Sequence, residues 1–338
     1  MDDYTQGAAR ERIFETITLI LERGLTFARN FVFNTSETLD AEAFEPSRLP
    51  SDQQNRLLRS FNRHWNITGF TEDELDRHPG LEPIEADIET HAVIVAIVRS
   101  MMPHAVVGGE EASDADWAVV DAAPLGTIIY SVDAIDGSLP YDSMTFGFSV
   151  NVSVHVRRES GDELLAVGIA NSSGYIAIWD TVGVHAGTVG DVLQIIAEPL
   201  VADDIRAETV AAVAAQGKDR SLADELLNDL DLILSTLGGA PVSLGLVVGR
   251  LGAIVSFKPQ AIHDAVYLPI LTSLGITIVT SDGRLIDSGS VGAYFTKVGR
   301  DENGVILRPV PAFVAARNPI TAHRLREKLF GPLPESDR

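Results

Sequence analysis

The segment Ser131-Val132-Asp133-Ala134-Ile135-Asp136-Gly137-Ser138 constrains this chain more than any other, because a β-branched apolar run over residues 127–132 drives straight into two aspartates, a glycine and a serine. A strand hides alternate side chains, so one that ends on Asp133 sets a carboxylate at the lip of a sheet. A turn starting there brings Asp136 round to the same point, and Gly137 supplies the backbone freedom it needs. Two carboxylates that close repel each other unless a cation lies between them. The plainer alternative is an Asp-rich turn that only caps a strand. The motif alone leaves both readings open.

Composition narrows the choice. The chain has no cysteine among its 338 residues, which excludes disulfide scaffolds, thiolate metal sites and cysteine nucleophiles together. Hard oxygen donors without thiolates favour magnesium, manganese or calcium over zinc. The net charge of −22 argues against a nucleic-acid polymer as partner, since such binders need a cationic face. It would also repel a phosphorylated small molecule unless divalent cations inverted the field locally. The Met1 start shows no secretory pattern, and no apolar stretch reaches the roughly 20 residues of a membrane span. The expectation is a cytoplasmic protein with no membrane partner.

Period and punctuation suggest two lobes. Residues 11–33 and 89–102 have helical apolar spacing, residues 146–157, 164–170 and 175–179 read as strands, and together they predict an α+β lobe over 1–180. A polar, proline-punctuated excursion at about 34–83 interrupts it. After residue 181 helix and strand signals alternate: helices at 219–230, 241–251 and 261–274, strands at 232–237, 253–257 and 276–280. This predicts an α/β lobe over 181–338, closed by a helix with Asn318 as N-cap, Pro319 at N1 and Gly331-Pro332 as its stop.

Other acids stand at element ends. Gly108-Gly109-Glu110-Glu111 follows a short strand at Val106-Val107, Asp87 sits where it would N-cap the helix after it, and Asp264 lies near the start of a predicted helix. Each alone is ordinary. The ordered set Asp87, Gly109-Glu110-Glu111, Asp133-Ala134-Ile135-Asp136-Gly137-Ser138 and His263-Asp264-Ala265 resembles the inositol monophosphatase family, part of a lithium-sensitive, magnesium-dependent superfamily that includes fructose-1,6-bisphosphatase. The resemblance runs from about residue 84 to residue 283. It implies a layered αβαβα sandwich of α+β / α/β class, a homodimer, and a Mg2+-dependent phosphomonoesterase for an inositol phosphate, sugar phosphate or nucleotide.

The resemblance also implies roles. Glu110, Asp133 and the Ile135 carbonyl would hold a first Mg2+, and Asp133, Asp136 and Asp264 a second. A weaker third ion would sit by Glu110, with Mn2+ as a possible substitute. The first ion would lower the pKa of a bound water, and the pair would clamp the attacking and leaving oxygens. Asp87 and Ser138, with Glu110, would form the catalytic set. Asp136, Gly137, Ser138, Gly238, Gly239, Ala240, Lys258 and Asp264 are the candidate substrate contacts. The sequence departs from the family's pattern at Ala134, where proline is usual, and at His263, where tryptophan is usual. His263 is read as a packing or supporting residue in preference to a ligand. These departures motivate an alternative, a non-catalytic metal- or ligand-binding homologue with a regulatory or assembly role.

Overall fold

In a computed structural model, residues 7–33, 85–137, 147–199, 209–213, 233–235 and 240–332 are described. The first helix, α1 (Gly7–Phe33), buries Ile13, Ile17, Ile20, Leu21, Leu25 and Ala28, the stripe that its period predicts. Helix α2 (Glu85–Met101) begins before Asp87, which lies in its first turn and not at the N-cap position. Both helices cover one face of a seven-stranded sheet.

That sheet runs in chain order: β1 (Val106–Gly109), β2 (Ile128–Asp136), β3 (Ser149–Arg158), β4 (Gly161–Asn171), β5 (Tyr175–Asp180), β6 (Gly183–Thr188) and β7 (Gln194–Ile196). Only β1 and β2 are parallel; the rest form an antiparallel meander. The expected lobe boundary lay at 180/181, whereas hydrogen bonding carries this sheet on through β6 and β7. Between β1 and β2 lies α3 (Asp114–Asp121), a helix with no counterpart among the sequence expectations. Its capping box joins Ser113 to Asp116, and Trp117 and Val120 are its buried contacts.

The second sheet follows the order β12-β11-β13-β10-β8-β9, built from β8 (Thr209–Val213), β9 (Ile233–Ser235), β10 (Ala253–Ser256), β11 (Thr277–Thr280), β12 (Leu285–Ile286) and β13 (Phe313–Ala316). A 3-10 turn (Ala240–Val242), α4 (Ser243–Val247) and α5 (Tyr267–Ser273) pack between the two sheets. The final helix, α6 (Pro319–Phe330), covers the outer face of the second sheet and carries the Asn318 cap and N1 proline. The layers are therefore α, β, α, β, α, the expected sandwich.

Two predicted helices are shorter than their apolar runs. The run at 241–251 yields only the 3-10 turn and α4, because Val248, Gly249 and Arg250 turn back toward Gly245 and Leu246. The run at 261–274 helicises only from Tyr267, so Asp264 stands in a turn ahead of α5. The helix expected at 219–230 and the excursion at 34–83 lie outside the described residues. Among the described residues no helix is long and apolar enough to cross a membrane.

Candidate metal centre

The site begins with the face-alternation of β2. Ile129 points into the core between the sheets, while Tyr130, Val132 and Ala134 join the core under α1 and α2. Asp133 therefore faces the central layer. Strict alternation would send Asp136 to the opposite face. A β-bulge prevents this: Asp133 pairs with Asn151 and Asp136 with Ser149, so two residues of β2 oppose one of β3. Both bulge residues, Ala134 and Ile135, bury on the α1/α2 side, and Asp136 returns to the face of Asp133. Gly137 then leaves the strand at φ 95°, where a Cβ would lie 2.8 Å from the Gly147 carbonyl oxygen.

Glu110 and Glu111 arrive at the same place through β1. Its parallel pairing sets Gly109 beside Val132, and the Glu110 amide donates to the Val132 carbonyl at 3.3 Å. Gly109 has φ 156°, and a Cβ there would sit 2.0 Å from the Val132 oxygen. Gly109→Ala should therefore cost about 2–4 kcal/mol and lower the melting temperature measured by circular dichroism, because backbone and not a flexible side chain must give way.

Donor atoms of Glu110, Glu111 and Asp133 lie within 4.8 Å of one another, and so do those of Glu110, His263 and Asp264. Glu110 is common to both sets. It stands exposed at the mouth, whereas Asp133 is 2% exposed and the Glu111 side chain 3%. Asp264 accepts from the Ala261 amide at 3.3 Å, and the His263 Nε2 lies 3.5 Å from its Oδ1. Asp136 Oδ2 accepts from Asn151 Nδ2 at 3.3 Å and from the Ala240 amide. That amide, a candidate substrate contact, is thus committed to Asp136.

The electrostatics are those of crowded like charges. Burial holds the Asp133 carboxyl well above its ordinary range, and Asp136, Glu110, Glu111 and Asp264 push it further. Burial raises Glu111 likewise, with Asp87 and Glu110 adding to the shift. Asp136 is pushed up to about 7 by burial and then by Asp264, against the stabilising Ala240 and Asn151 donors. Glu110 is raised by loss of solvent and by Asp264, while His263 and Arg308 oppose the shift. Asp87, 1% exposed, acts on the cluster through Glu111.

Of the other expected contacts, Ser138, Gly238 and Gly239 lie outside the described residues. Ile135 occupies the bulge. Lys258 is exposed after β10, its carbonyl accepting from Ser256 Oγ at 2.9 Å; the cationic side chain that Glu110 feels is Arg308. Sequence reasoning gave no role to Arg308, 44 residues beyond Asp264, and no local pattern marks it. It also assigned nothing to Glu111, although the Glu-Glu pair was in view. Tyr267 was missed too: it opens α5, is 1% exposed, and its hydroxyl group, without a partner among the described residues, feels Asp136 and Asp264.

No protein-family model matches the chain, and no curated protein sequence does. Solved structures do match. SuhB of Mycobacterium tuberculosis is similar with a TM-score of 0.55 at 16% identity, over 96% of this chain and 98% of that one. An inositol monophosphatase from Zymomonas mobilis gives 0.55 at 13% identity, over 96% and 99%. Inositol monophosphatase II from Staphylococcus aureus gives 0.52 at 13% identity, over 98% and 96%. At these identities the likeness is one of fold.

Proposed function

From the shared fold of the inositol monophosphatases, we propose that the chain is a divalent-cation-dependent phosphomonoesterase acting on a small phosphorylated metabolite: an inositol phosphate, a sugar phosphate or a nucleotide. The observation that carries this reading is the convergence of Glu110, Glu111 and Asp133 with Asp264, carboxylates delivered by separate elements onto one face of the first sheet. At an effective dielectric of about 20, two charges about 5 Å apart repel by roughly 3 kcal/mol. A fold that gathers several such groups and leaves them raised in pKa suits a cation.

The donor chemistry fits. Glu110, Glu111 and Asp133 offer only hard carboxylate oxygens, the set that Mg2+ prefers, and the Ile135 carbonyl and Asp136, which follow Asp133 along β2, are assigned to the same centre. Bound there, such ions would lower the pKa of water toward neutrality and neutralise charge on the phosphoryl oxygens. The chain's own residues do the positioning. Asn151 and the Ala240 amide fix the Asp136 carboxylate. Asp87, buried beside Glu111, is assigned with Ser138 to orient and deprotonate the attacking water. Arg308, with its charge near Glu110 at the open side, is placed to draw an anionic ester past a surface of net charge −22.

The test is phosphate release from inositol, sugar and nucleotide monophosphates with Mg2+, with and without chelator. Turnover that chelation stops is the expected result. Folded, metal-loaded protein that turns over none of them would overturn catalysis and leave the non-catalytic homologue. Asn151→Leu should weaken Mg2+ binding in calorimetry by about 10–100-fold, because it frees the Asp136 carboxylate without touching a ligand. Sedimentation equilibrium checks the expected homodimer.

A further inference from the structure

We propose that His263 is itself a metal ligand, so that the ion held between Glu110, His263 and Asp264 is a first-row transition cation and not Mg2+. The proposal rests on the metal-centred reading above and goes beyond it in assigning different chemistry to two neighbouring positions. One position has carboxylates alone. The other has two carboxylates and an imidazole.

His263 is the residue in the second set with least access to water, its side chain 4% exposed against 26% for Asp264. A solvent-excluded imidazole normally spends its nitrogens on good hydrogen bonds. Here Nε2 faces the Asp264 Oδ1 at 3.5 Å, too long for a strong one. Two donor atoms about 2.1 Å from a common tetrahedral ion stand about 3.4 Å apart, and about 3.0 Å in an octahedral one. The observed separation, an ion-pair distance in the metal-free protein, also fits two adjacent ligands. The set also draws on two elements, the turn after β1 and the turn before α5, so an ion would tie the first sheet to the central layer. Imidazole nitrogen suits Fe2+, Ni2+ and Zn2+, and Mn2+ accepts it beside carboxylates, whereas Mg2+ favours oxygen and retains water.

Mn2+ is the probe. Full-length protein stripped by chelation is loaded with Mn2+, and pulsed electron paramagnetic resonance reads nitrogen coupling to the ion. Wild type should show the coupling of a directly bound imidazole, and histidine labelled with 15N should alter it without any substitution. His263→Gln should abolish the coupling and weaken one class of Mn2+ site by at least ~10-fold. His91→Gln, which removes the other imidazole near the acids among the described residues (its Nδ1 is 4.0 Å from Glu111), should keep the coupling. Bound Mn2+ with no nitrogen coupling in wild type sinks this proposal and leaves the phosphatase reading standing. Coupling that persists in His263→Gln and vanishes in His91→Gln also sinks it. Failure to bind any Mn2+ removes the metal-centred reading with it. Should His263→Gln fail to fold, the labelled wild type and His91→Gln decide the matter.

Discussion

Asp133→Asn should cut Mg2+-dependent phosphate release by at least ~10³-fold and, in the same protein stripped of metal, raise the melting temperature by about 2–5 °C. The two changes have one cause. Asp133 is the buried centre of the acid cluster, with its carboxyl raised first by burial and then by four neighbouring carboxylates. Without a cation, ionising it costs desolvation and repulsion together, and asparagine of equal size removes both. With a cation, the same carboxylate is what holds the ion, and an amide oxygen is a poor replacement. An ordinary structural lesion in a strand would lower stability as well as activity. Stopped-assay kinetics beside calorimetric melting of metal-free protein separate the cases. A variant that melts lower than wild type would show that Asp133 serves the fold more than a charged site.

Much of this was legible in the sequence because acids at strand ends are local signals. Asp133, Asp136 and Asp264 each follow or precede an apolar run whose length sets where the chain must turn. The bulge was legible only in part: two aspartates three apart implied a turn, whereas the chain achieves the same end inside β2 by burying Ala134 and Ile135 on one side. Nothing local predicts that, since both residues suit a regular strand. The helix α3 escaped notice because eight residues carry too few turns to show a period, and its cap uses Asp116 where Glu or Gln is the usual partner. The position of Asp264 ahead of α5 was hidden for a different reason. Residues 261–274 are apolar nearly throughout, so period alone does not mark where turns give way to helix. His263 was read as a packing or supporting residue in preference to a ligand, and the approach of Glu110 from another element is what brings ligation forward. Such long-range convergence is a property of the fold and has no signature along the chain.

Metal-free protein should lose stability as pH rises from about 6.5 to 8, and Mg2+ or Mn2+ should reverse that slope. The sign follows from linkage. A carboxyl whose folded pKa is raised keeps a proton that the unfolded chain has released near pH 4, so its stabilising effect is complete below that pH and is lost as pH climbs through the folded value. For Asp136 that value is about 7, and Asp133, Glu110 and Glu111 are raised as well. Buried His91 and His155 act in the opposite sense. Burial lowers both to about 4, so the stability that they contribute as neutral rings is present above about 6.5 and is lost as pH falls toward 4. The two effects cancel in part up to about pH 7.5, where the unfolded histidines have released their protons, but the four raised carboxyls outnumber the two rings. Thermal melts in chelator should therefore fall by several degrees across pH 6.5–8. The same melts with saturating cation should hold level or rise, because ligands must shed their protons to bind and binding strengthens as they do. Melting temperatures that stay flat in chelator would mean that the clustered carboxyls are ionised and screened in the metal-free fold, and that the site is held open without the strain which makes a cation its natural occupant.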